Sequence, residues 1–112
     1  MYTHIRKRSG KIANFDRQKI MSAIERAGIE TNEFSEQVAN TLTNTVMERL
    51  ATRTVRRIPT VEEIQDIVED VLLESSYKAT AKAYIIYRDQ HKKTREIAEA
   101  SHVGLMDQYL GK

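Results

Sequence analysis

The sequence predicts an α+β domain dominated by helix, with a short N-terminal β-hairpin over a bundle of four helices. Three observations carry that expectation. Apolar residues recur at helical spacing in four separate segments, most cleanly at Val61, Ile64, Ile67, Val68, Val71 and Leu72. Capping chemistry stands ahead of these segments, above all Thr60-Val61-Glu62-Glu63 directly behind Pro59. Finally, Ser9-Gly10 divides two short β-compatible runs, and glycine accepts a turn's positive φ without a Cβ clash. At 112 residues the chain has room for one small domain with a thin core.

Each element has a local cause. The hairpin is read from Thr3-His4-Ile5 and Ile12-Ala13-Asn14-Phe15; such short, polar strands must pack on something helical. Asp16 reads as the N-cap of a first helix carrying Ile20, Ala23, Ile24 and Ala27, and Gly28 as its left-handed close. A second helix should start within 32–35, with Val38, Leu42, Val46 and Leu50 four apart and Ala39 and Met47 beside them. Residues 51–58, where Thr52, Thr54 and Val55 interleave with basic residues, read as a third short strand or an extended connection. The third helix follows the Thr60 box and breaks at Ser75-Ser76. The fourth should run from about Tyr77 through Arg95, with Ala81, Tyr84, Ile85 and Arg88 along one side. The expected domain is 1–100, and 101–112 reads as a tail or linker toward a further domain.

Composition excludes several function classes. Hydrophobic residues are 40% and charged residues 30%, a soluble globular mixture with no membrane-spanning run and no secretory leader. With no cysteine there is no disulfide, thiolate zinc site or cysteine nucleophile, which fits a reducing, cytoplasmic setting. No serine has a G-x-S-x-G context, and His4, His91 and His102 show no metal-ligand pairing. The carboxylates from Glu62 to Glu74 surround an apolar stripe and read as a solvated face, so nothing argues for a reaction.

Charge placement says more than the net +2. The first 26 residues are basic, Arg49, Arg53, Arg56 and Arg57 form a second basic stretch, and Glu62 to Glu74 contain no cation. Lys7-Arg8-Ser9-Gly10-Lys11 sets cations on a tight turn whose N–H groups suit a polyphosphate, although no Walker A spacing is present. Lys19 lies in a helical first turn, where the helix dipole disfavours a cation. The bland alternative is that these cations only solubilise an exposed hairpin.

Ile5-Arg6-Lys7-Arg8-Ser9-Gly10 and Phe15-Asp16-Arg17-Gln18-Lys19-Ile20 resemble the opening of an ATP-cone domain. The run from Pro59 to Glu69 looks like that family's third helix, and Ala83-Tyr84-Ile85-Ile86-Tyr87-Arg88 looks like its terminal signature. The likeness spans about Tyr2 to Lys93, with Ser9 and Ala13 departing from positions that are usually or often acidic. It implies a regulatory module with no activity of its own, which binds ATP or dATP, with Mg2+, as the overall activity switch of a ribonucleotide reductase. Ile5 would lie against adenine; Lys7, Arg8 and Lys19 would meet the phosphates; Gly10 would let the hairpin fold over them as a lid. Asp16 would sit near the base, and Arg88 or Lys92 would add a cation from the last helix. The segment from Val103 to Leu110 looks like the junction into an anaerobic (class III) reductase catalytic domain. That implies a catalytic domain as partner and a nucleotide-dependent oligomer in the parent protein. The absence of cysteine disfavours the zinc-ribbon repressor that also carries this module. The alternatives are the cone of a 2-phosphoglycerate kinase, or a small basic nucleic-acid-binding protein using Arg53, Arg56 and Arg57 with the hairpin cations. The latter lacks helix-turn-helix spacing and an aromatic platform.

Overall fold

The computed structural model describes residues 4–7, 9–54 and 57–100. Strands β1 (His4–Arg6) and β2 (Ile12–Asn14) pair antiparallel in the register His4↔Asn14, Ile5↔Ala13, Arg6↔Ile12. At the turn, Gly10 N–H donates to the Lys7 carbonyl at 2.9 Å and Lys7 N–H to the Lys11 carbonyl at 2.8 Å. Gly10 has φ 89°, and a Cβ there would meet nothing within 4 Å. Its requirement is therefore the left-handed backbone, not space.

Asp16 caps α1 (Arg17–Glu30), its carboxylate accepting from Gln18 N–H at 3.0 Å. The helix does not end at Gly28 as expected. It runs on to a Thr31 cap, and the left-handed residue is Asn32, at φ 58°. Gly28 is instead a close-approach glycine: an added Cβ would stand 2.2 Å from the Phe34 ring. That ring in turn meets Tyr77 edge-on, with centroids 4.9 Å apart.

Helix α2 (Glu36–Arg53) absorbs the first part of the segment expected to be extended. Thr54 is buried, its hydroxyl donating to the Leu50 carbonyl at 2.7 Å. Arg49 and Arg53 reach Glu74 and Asp70 of α3 (Val61–Glu74). Helical spacing brings both arginines to acidic partners on α3, and it buries Leu50 and Thr54 on the core side. In place of a third strand, the described residues show a single parallel bridge, Arg6↔Thr60, with Arg6 N–H donating to the Pro59 carbonyl at 2.9 Å. That bridge ties the hairpin to the head of α3, where both halves of the Thr60–Glu63 capping box form at 3.1 Å. After the Ser75-Ser76 break, α4 (Lys78–Ala100) begins one residue later and runs further than expected. The proposed junction at 103–110 lies outside the described residues.

The helices form a ring in which α1 and α3 each pack against α2 and α4. Ile24, Ala39, Val46, Leu50, Ile67 and Leu72 have no exposed surface at its centre. Ile5 and Phe15 lay the hairpin on one end of this core. Among the described residues no helix is long and apolar enough to cross a membrane.

Candidate functional site: a cavity beneath the hairpin

Between the hairpin and the helix ends opens a cavity of about 420 Å³. That volume lies within the range of small-molecule sites. Ile5, Ala13 and Phe15 form its roof, and Ile20 and Ala23 of α1 one wall. Val61, Ile64 and Val68 of α3 and Tyr84 of α4 supply the floor. Lys7 and Lys19 are the cations in the lining, joined by Asn14, Asp16 and Gln65. Both lysines are exposed, whereas Ile20, Ile64, Val68 and Tyr84 are buried. The result is an apolar slot under a basic, solvent-facing rim.

Of the residues singled out from sequence, Ile5, Lys7, Asp16 and Lys19 line this one cavity. Gly10 stands at the turn above it. Arg8 lies outside the described residues. Arg88 is not in the lining: it pairs with Asp66 at 2.7 Å, Glu69 at 3.3 Å and Glu62 at 3.4 Å, all on α3. Burial opposes its charge, yet the hydrogen bond and charge of Asp66 and the charge of Glu69 raise its pKa further above the ordinary arginine value. Lys92 is exposed, one turn beyond Arg88 on α4.

Sequence reasoning treated Val61, Ile64, Val68 and Tyr84 as core alone. Gln65 carried the missed signal. Positions 61, 64, 65 and 68 share one helical face, and a single polar residue interrupts that apolar face. In the structure Gln65 is half-buried in the cavity lining.

The second basic stretch is spent within the fold. Arg49 pairs bidentately with Glu74 at 2.5 and 2.9 Å, Arg53 with Asp70 at 3.4 Å, and Arg57 with Glu63. The hydrogen bond from Arg57 pulls the Glu63 carboxyl down to about 2. Carboxylates of α3 therefore pair with Arg49, Arg53 and Arg57, which lowers the net positive charge of that face; Arg56 lies outside the described residues.

A short hairpin thus roofs an apolar slot with two lysines at its mouth, an arrangement suited to a ligand that joins an apolar part to anionic charge. The profile described as "ATP cone domain" matches residues 3–93, and the chain belongs to the ATP-cone family. It is 36% identical over 104 residues to the vitamin B12-dependent ribonucleoside-diphosphate reductase of Thermoplasma acidophilum, covering 88% of this chain and 13% of that protein. It is 37% identical over 90 residues to the anaerobic ribonucleoside-triphosphate reductase of Haemophilus influenzae, covering 80% and 13%. The ribonucleoside-diphosphate reductase subunit alpha of Chlamydia pneumoniae is 36% identical over 99 residues, covering 80% and 10%. The chain thus spans only about an eighth or less of the length of these relatives.

Proposed function

We propose that this chain is the allosteric ATP- and dATP-binding domain that sets the overall activity of a ribonucleotide reductase, in the cytoplasm. The carrying observation is the apolar slot with Lys7 and Lys19 at its mouth, in a member of the ATP-cone family whose relatives are reductases. The base enters the slot against Ile5. The phosphates stay at the rim with Lys7, Arg8 and Lys19, and Gly10 lets the hairpin close over them. Asp16 lies near the base, with Asn14 beside it in the cavity lining.

Magnesium would arrive with the triphosphate. Among the described residues no three His, Asp or Glu side chains gather into a metal site, and Asp16 is the one carboxylate lining the cavity. One Asp16 oxygen already caps α1, which leaves the other free to face the ion's water shell. Arg88 could serve a phosphate only by leaving its three carboxylates, so ligand binding there would loosen α3 from α4. Lys92, which is exposed one turn further along α4, is the alternative cation. The output is a changed surface presented to a catalytic domain, and assembly that depends on the nucleotide bound. The relatives cover B12-dependent, subunit-alpha and anaerobic reductases, so the anaerobic parent rests on the tail match from Val103 to Leu110.

Calorimetry tests the reading. ATP and dATP should bind saturably, and GTP and CTP more weakly. Equal, weak binding of all four would reduce the site to nonspecific charge.

A further inference from the structure

Tyr84 carries a hydrogen-bonding group that the fold does not use. The residue is 6% exposed, on the buried side of α4. Among the described residues its hydroxyl has no hydrogen-bond partner, although none of their fully buried side-chain N or O atoms is left unpartnered. The hydroxyl must therefore reach open space. Among the described residues Tyr84 lines the main cavity and also a cleft of about 30 Å³ between α1 and α4 that has room for about one water. Burial pushes the phenol up to about 12, and the strongest charges acting on it are Arg88 and then Glu69. Arg88 leans on α3, and α3 walls the main cavity rather than the cleft. The phenol thus stays protonated, able to donate and accept, in a residue that lines the larger space.

Depth identifies what it would meet. Tyr84 shares the cleft with Ala23, Arg26 and Ala27 of α1, so it lies one to two helical turns below Lys19. Each turn is about 5.4 Å. A ligand whose phosphates stay with Lys7 and Lys19 at the rim brings its base to this level, between Ile20, Ile64 and Val68.

Resting on the adenine-nucleotide reading above, we propose that the Tyr84 hydroxyl hydrogen-bonds the edge of the purine base at the deep end of the cavity. It is then a ligand-contact residue that serves ATP and dATP alike, because it touches neither sugar nor phosphate. A hydroxyl left unpaired in the free protein gains a partner when the base arrives, and deleting it strands the base's own polar group.

The test compares the 112-residue chain with Tyr84→Phe, which keeps the ring and removes only the oxygen. Titrations with ATP, dATP and 2′,3′-dideoxy-ATP should each show the variant binding about three- to tenfold more weakly, by one common factor. Inorganic triphosphate, measured as a competitor of ATP, should bind both proteins equally, and thermal melting should match within a few degrees. Unchanged affinity for all three nucleotides overturns the proposal. A loss confined to ATP moves the contact to the ribose, a loss extending to inorganic triphosphate moves it to the phosphates, and either result also overturns it. Failure of the unmodified chain to bind any adenine nucleotide would sink the functional reading itself, and this contact with it.

Discussion

Gly28 and Glu63 show how single positions take their meaning from neighbours the sequence does not place beside them. Gly28 looked like a helix terminator because glycine is common there. What requires glycine is the Phe34 ring, folded back over α1 after the Asn32 turn. Gly28→Ala should lower stability by about 1–3 kcal/mol through overpacking, despite alanine's better helix propensity. Adding Phe34→Ala should erase most of the further cost of the alanine, a non-additivity readable by denaturant titration. Glu63 makes a different prediction. Its carboxyl titrates at about 2 rather than 4.5 because Arg57 donates to it. A depressed carboxylate stabilises the fold above its unfolded pKa, and that contribution disappears as pH falls from about 4.5 through about 2. Because Arg57 is half exposed, solvent screening reduces the pair to about 1 kcal/mol. Glu63→Gln keeps an acceptor for the capping box. It should cost that amount at pH 7 and progressively less as pH falls below about 4.5, vanishing only below about pH 2, as measured by thermal melting across the range.

Among the elements, the hairpin and α1 divide stability from binding. Lys19 sits in the first turn of α1, which contains no acid, and it lines the cavity. Lys19→Ala should therefore raise the melting temperature slightly while weakening ATP about tenfold. A fall in both would make the side chain structural. Helix α3 couples the two properties instead. Thr60 caps it and bridges β1, and its next turns floor the cavity. Thr60→Ala should cost about 1 kcal/mol in stability, and it should weaken ATP as well, because the Arg6 bridge that seats the hairpin depends on that corner. The caps of α1 and α3 were legible because their donors and acceptors lie within three residues of one another in the chain. The fate of residues 51–53 was not. Their local pattern favours β, whereas the buried Leu50 and Thr54 on either side and the Arg53–Asp70 pair fit the continued helix.

For the molecule as a whole, the count and order of elements could be read from apolar periodicity, and half of the cavity from the phosphate-binding pattern of the first 19 residues. The other half, from Ile20 to Tyr84, was legible mainly as core, since the same apolar stripes serve both the bundle and a ligand floor. In a polypeptide that carries a reductase catalytic domain, ATP and dATP should give particles of different mass by light scattering. Identical mass with either nucleotide and with none would refute switching by assembly and leave binding intact. The start of α4 has a consequence for how this domain comes into being. Its first turn contains no acid of its own. The carboxylate that meets its free N–H groups is Glu33, from the α1–α2 connection, at 2.6 Å from Thr80 N and 2.7 Å from Thr80 Oγ. Hydrogen bonds from Thr80 hold that carboxylate below the usual range. A helix capped from 47 residues away gains that cap only once the α1–α2 connection has folded beside it. The same two hydrogen bonds therefore tie the helix that carries Tyr84, and with it part of the cavity floor, to a connection on the far side of the chain order.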